Sequence, residues 1–198
     1  MRIIRKLARE FAILANQLRY GLQNVSFGEY SKVIGLKNMQ IGKNLAVARF
    51  LWLEAVSKHA GINYSPKIKI GDNVNISELV HIAAINEIII GNFVLIGSKV
   101  LIGDHNHGCY SSHIHDSPNP PPNRRALHSP GVIIIDDNVF IGDNSIILGN
   151  THIGFGAIIA ANSLVVSGTI VQPKTIYAGS PAKMIKKFDD LTKSWIKA

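Results

Sequence analysis

From Ile135 the chain advances in steps of six residues. Ile135, Ile141, Ile147, Ile153, Ile159, Val165, Val171 and Tyr177 open successive hexads, and seven of these eight are Ile or Val. The second position is usually small or acidic and the fifth usually small or Val. Ile70, Ile76 and Ile82 keep the same step, as do Ile90, Ile96 and Ile102. Between Ile82 and Ile90 the step is eight, which predicts two extra residues at a corner. A period of six is neither the 3.6 of an amphipathic helix nor the 2 of a lone strand. It fits an all-β solenoid whose coil has three short flat strands, about eighteen residues per turn. Each aliphatic side chain points inward and stacks on its counterpart one coil away, so neighbouring coils bury one another. One buried Ile is worth roughly 1.5–3 kcal/mol, which makes these rows the main stabilising term. Asn73, Asn92, Asn138, Asn144 and Asn150 recur near the predicted corners, where Asn tolerates left-handed backbone angles.

Composition narrows the classes. The 198 residues are 46% hydrophobic and 17% charged, which excludes a disordered chain. No apolar run reaches the roughly 18 residues of a membrane span. The run Phe11-Ala-Ile-Leu-Ala15 is too short for a signal-peptide core, so a cytoplasmic location is expected. The single cysteine, Cys109, excludes a disulfide framework and a multi-Cys metal site. The net charge of +8 sits at the ends. Residues 1–20 hold five Lys/Arg and one Glu, and residues 183–198 hold five Lys and two Asp, against eleven bases and ten acids between them. A nearly neutral body argues against a nucleic-acid-binding face.

Two motifs carry a resemblance. Ala178-Gly-Ser-Pro-Ala-Lys-Met-Ile185 resembles the closing A-G-x-P-A-[KR]-x-I signature of the hexapeptide-repeat acyltransferases, and Asn138-Val-Phe-Ile-Gly142 resembles their N-V-W-I-G. Asp104-His-Asn-His-Gly108 resembles the His-bearing loop of the bacterial polysaccharide O-acetyltransferases within that family. The resemblance spans roughly residues 33–188. It implies a left-handed parallel β-helix over 23–188, a homotrimer with active sites between subunits, and acetyl-CoA as co-substrate, with no metal expected. It also implies a sugar hydroxyl of a surface polysaccharide or its precursor as acceptor.

The register breaks between Gly103 and Ile135. That stretch holds Pro118, Pro120, Pro121, Pro122 and Pro130, which cannot continue a coil, and five of the eight histidines. A loop over 104–131 is expected, ordered and extended by its prolines. In the relatives such a loop reaches over the neighbouring subunit. Acetyl transfer from a thioester to a hydroxyl needs a base near neutral pH, which histidine supplies without tuning. The alignment implied by the resemblance places that base at His107, with His105 as the competing choice. A backbone N–H near Gly142 is the expected oxyanion donor. His81, Asp104 and Asn106 are candidate acceptor contacts. Phe140, Gly142, Ala160 and Ala161 are candidates for the coenzyme groove, and Lys183 and Lys186 for its phosphates. Two departures stand out: Phe140 replaces the Trp of the family motif, and Val165-Val-Ser-Gly168 lacks the Lys of the family's V-T-K-D. His59 and His152 read as ordinary surface or corner residues.

At the ends, residues 1–22 show apolar positions at helical spacing with bases opposite. This segment either caps the open solenoid or lies peripherally on a membrane surface. Residues 189–198 are expected to form a short helix, with Leu191 and Trp195 docking at i, i+4. Three rival functions stay open. A streptogramin-type antibiotic acetyltransferase shares the coil and a His-bearing loop. A γ-class carbonic-anhydrase-like zinc enzyme needs three His, two of them in an H-x4-H spacing that the loop lacks. A non-catalytic assembly solenoid would not need the D-H-N-H-G loop.

Overall fold

The computed structural model describes residues 10, 11, 14, 21–111, 113 and 115–198. The N-terminal amphipathic segment therefore falls largely outside the described residues. The rest winds as the expected left-handed parallel β-helix, a prism with three faces. Face I stacks Met39–Ile41, Lys67–Ile70, Glu87–Ile90, Ile133–Ile135, Thr151–Ile153 and Ile170–Val171. Face II stacks Ala46–Val47, Asn75–Ile76, Leu95–Ile96, Phe140–Ile141, Ile158–Ile159 and Thr175–Gly179. Face III stacks Lys32–Ile34, Trp52–Ala55, His81–Ala84, Leu101–Gly103, Ile146–Leu148 and Leu164–Val165. Within each of these stacks the strands run parallel and in register, so like positions fall on like.

The hexad rows are the core. Ile141, Ile147, Ile153, Ile159 and Val165 are all fully buried. The fifth position also points inward, and its polar members find backbone partners. The Ser145 hydroxyl, in a residue 0% exposed, donates to the Ala160 carbonyl at 3.0 Å. Most corner asparagines adopt the left-handed angles expected, with φ of 58° at Asn73 and 60° at Asn138. Asn92 does not. Phe93 takes the left-handed position at φ 57°. Asn92 instead accepts the Asp72 N–H at 2.8 Å and bonds to the Asp137 carboxylate through both its amides.

The C-terminal helix is corrected. Ala182–Asp189 turns back antiparallel along face II and Ser194–Lys197 adds a further strand. The reason is local. The edge of face II offers unpaired backbone groups, and Phe188, Trp195 and Ile196 suit strands. Trp195 packs on Phe188 across the ladder, centroids 5.3 Å apart, while Leu191 is 94% exposed.

All the major departures from the coil leave the edge where face III passes to face I. A hairpin, Lys58–His59 against Ile62–Asn63, leaves there. The corner Ile85–Asn86 follows one coil later, where the step of eight falls. The Pro/His-rich loop leaves there another coil on, between Gly103 and Ile133.

Candidate functional site

Asp104 opens the loop and is 0% exposed. Its two carboxylate oxygens accept the N–H groups of Ile85 at 2.9 Å and Asn86 at 2.8 Å, which closes the wide corner beneath. Oδ1 also meets His105 Nδ1 at 3.0 Å. The enclosed carboxylate is fully engaged by these three partners. Asp104 is thus a corner cap and an orienter of His105, which corrects its reading as an acceptor contact. A carboxylate only accepts, so His105 Nδ1 is the donor here, and in the neutral ring that leaves Nε2 as the acceptor.

His107 lies on a two-residue strand, Asn106–His107, paired antiparallel with Leu127–His128. The loop thus carries its own small ladder. His107 Nδ1 is 3.2 Å from the Pro122 carbonyl. A carbonyl cannot donate, so this contact too fixes the tautomer and leaves Nε2 as the acceptor. The His107 ring is exposed, whereas the His105 side chain is only 13% exposed. The Arg125 guanidinium gathers the arm: it donates to the carbonyls of Pro118 at 2.7 Å and Pro120 at 2.9 Å and to the Tyr110 hydroxyl at 2.7 Å. Tyr110 in turn donates to the His107 carbonyl. Cys109 is 5% exposed, so its thiol is closed to substrate.

The hairpin supplies what the sequence reading missed. His59 sits edge-on against His107, ring centroids 5.0 Å apart. The buried Nε2 of His59 has no hydrogen-bond partner among the described residues. Tyr64 follows the hairpin and its hydroxyl accepts the Leu127 N–H at 2.8 Å, which pins the strand beside His107. A signal was available. From Leu53 to Ile70 the row advances seventeen residues instead of six, and Ala60-Gly61 reads as a tight turn.

His81 projects from the outer side of face III. Its ring stacks on Trp52 at 4.4 Å, and Lys32 sits over the same indole at 4.4 Å. Burial lowers the His81 pKa below its ordinary value; Glu54 opposes this, and His105 and Lys32 add to it. His81 therefore stands near His105 as a ring that resists protonation. Asn106 is exposed on the loop strand.

The candidate donor residues form a second group on face II. Phe140, 40% exposed, aligns with Ile158, and Ile158 with Ile176, along the outer side. Lys186 pairs opposite Ile176 and Lys183 opposite Ala178. Residues three apart on a strand normally point to opposite sides. A bulge that skips Ile185 puts both lysines on one side. Ala160 and Ala161 form the turn leaving Ile158–Ile159 towards face III. The Gly142 N–H donates to the Ile159 carbonyl at 2.8 Å, so Gly142 itself is not the oxyanion donor. A Cβ at Gly142 would meet the Ala161 nitrogen at 2.5 Å, so glycine lets this corner close. The chain thus assembles histidines at one edge and a coenzyme-type surface on face II, with face III between them. Among the described residues no group of three His, Cys, Asp or Glu is placed to hold a metal ion. No described helix is long and apolar enough to cross a membrane.

No family model matches the chain. It is 47% identical over 96 residues to the candidate lipopolysaccharide biosynthesis O-acetyl transferase WbbJ of Escherichia coli strain K12; the match covers 48% of this chain and 47% of that protein. The chain thus matches less than half the length of that relative. The structure superposes on AntD, an N-acyltransferase from Bacillus cereus solved with dTDP-4-amino-4,6-dideoxyglucose and coenzyme A (TM-score 0.65, 22% identity, 85% of this chain and 83% of that one). It also superposes on the hexapeptide-repeat acetyltransferase VCA0836 of Vibrio cholerae in complex with acetyl coenzyme A (TM-score 0.54, 25% identity, 88% and 79%). The fold is thus shared with these solved acyltransferases, and the motifs of the sequence resemble those of the hexapeptide-repeat acyltransferases.

Proposed function

We propose that the protein is an acetyl-CoA-dependent O-acetyltransferase acting on a sugar hydroxyl of a surface polysaccharide or its precursor. The observation that carries this is His107: an exposed imidazole on a braced loop, its Nδ1 tied to a carbonyl and its Nε2 left to accept. His107 Nε2 takes the proton of the sugar hydroxyl as the new C–O bond forms at the acetyl carbon. The imidazolium then returns that proton to the departing sulfur as the C–S bond breaks. Such a base contributes on the order of 10²–10⁴-fold. The sequence match to an O-acetyl transferase and the coenzyme-bound structural neighbours support the donor and the reaction class.

In this reading the coenzyme lies along Phe140 and Ala160–Ala161, with its phosphates at Lys183 and Lys186. Within one chain these residues are a whole face away from His107, which supports a homotrimer in which the loop of one subunit meets the groove of the next. A second base is favoured by a specific contact. The Asp104–His105 pair at 3.0 Å has the orienting geometry of a carboxylate–imidazole dyad.

Thiol release from acetyl-CoA, screened against nucleotide sugars and oligosaccharides, tests the reading. His107→Ala is expected to lower turnover by about 10²-fold or more with the melting temperature preserved. Loss on His105→Ala alone transfers the role to His105. Full activity in both variants contradicts the mechanism.

A further inference from the structure

A cavity of about 470 Å³ opens at the foot of the hairpin, where the hairpin meets the start of face I. That is within the range of small-molecule sites. Lys37, Lys67 and Lys69 line it together with the hydroxyl-bearing Ser57, Tyr64 and Ser65. Lys69 is paired with Glu87 at 2.8 Å. Lys37 and Lys67 form no ion pair among the described residues, and no acid lines the cavity. Glu87 also stands directly opposite Lys67 across the ladder, so three lysines face one carboxylate and the concavity keeps an excess of two positive charges, on a body that is otherwise close to neutral. A second cavity, of about 370 Å³, sits further along face I and makes the contrast. It is walled by Asp136, Asp137 and apolar groups and would repel an anion. Charge, more than concavity, distinguishes the first.

The basic cavity also adjoins the loop. Tyr64 is one of its walls, and its hydroxyl accepts the N–H of Leu127, the residue laddered to His107. We propose that this cavity binds the pyrophosphate of a diphosphate-linked sugar, so that the sugar extends past Tyr64 to the histidine edge. A pyrophosphate diester carries two negative charges, which match that excess of two. Ser57 and Ser65 supply neutral donors to its oxygens. A nucleotide-linked and a polyprenyl-linked sugar share this chemistry. The assignment of the ligand to the acceptor rests on the transferase reading above; the anion site itself does not.

The test is calorimetric titration of the full chain in metal-free buffer with saturating coenzyme A, so that the donor phosphates' site is filled. The probes are sodium pyrophosphate, UDP, farnesyl pyrophosphate and glucuronate. Pyrophosphate is expected to bind saturably. Lys37→Gln and Lys67→Gln are each expected to weaken it by about tenfold, with unchanged circular dichroism, and salt to weaken it further. Tighter binding of UDP identifies the nucleotide-linked source, and tighter binding of farnesyl pyrophosphate the lipid-linked one. Absence of saturable binding up to about 10 mM, indifference to both substitutions, or glucuronate binding as tightly as pyrophosphate overturns the proposal. Loss of the anion site with thiol release intact sinks only this inference; binding without any thiol release sinks only the transferase reading.

Discussion

Where face I passes to face II, the chain makes much the same turn coil after coil. Asn44, Asn73 and Asn138 take φ near 60° there. The side chain of Asn24 donates to Asn44 at 2.6 Å, and that of Asn44 to Asn73 at 2.9 Å. Where face III passes to face I, successive coils differ: a short 3-10 turn at Leu36–Asn38, the hairpin, the wide Ile85–Asn86 corner, then the loop. The difference lies in how backbone groups are satisfied. A repeated corner inherits its partners from the coil beneath. An excursion must bring its own, because an unpaired buried group costs about 1–3 kcal/mol. Asp104, Tyr64 and Arg125 are those partners, each bonding to backbone groups that the ladder does not reach. One edge thus stabilises and the other is free to carry chemistry.

The contrast can be broken by truncation. Ile141 is fully buried between Ile96 and Ile159 in the inward row. Ile141→Ala is expected to cost about 2–5 kcal/mol, read from denaturant unfolding. Leu127, 7% exposed on the loop, is expected to cost less than half as much when cut to Ala. Equal losses would mean that the loop is part of the stabilising core.

A smaller effect sharpens the boundary between the two regions. Burial holds the His81 pKa below its ordinary value of 6.5. The unfolded chain then binds more protons at this residue than the folded one. Its contribution is complete above about pH 6.5 and is lost as pH falls through that value towards the folded pKa. The melting temperature is expected to fall between about pH 7 and about pH 5, and His81→Gln to flatten part of that slope. An unchanged slope contradicts the burial of this ring beside Trp52.

The inward rows were legible because burial leaves a periodic trace: every hexad position from Ile135 to Tyr177 is buried as read. Corner identity was less legible. Asn92 matched the pattern for a left-handed residue, yet Phe93 adopts that angle, because it is Phe93 that stands in register with Asn73 and Asn138, whereas Asn92 stands in register with Asp72 and Asp137. The terminal strand was misread since Leu191 and Trp195 mimic a helical pair, while an open sheet edge offers partners that spacing does not show. In the candidate site, the loop histidines were visible as a break in register. Asp104's burial was not, because only the fold brings the corner amides of the preceding coil beneath it. His59 and Tyr64 were missed for the same reason. They meet the loop across nearly fifty residues or more of sequence, through a hairpin that leaves the same edge.

The most direct test of the division of labour is to replace the hairpin, residues 57–65, with a tight corner and measure melting and thiol release on the same preparation. The account predicts a prism that melts within a few degrees of the parent, and transfer reduced by about tenfold or more because His107 loses its braces. Full transfer without the hairpin, or collapse of the prism with it removed, would contradict the claim that stability and chemistry occupy different edges.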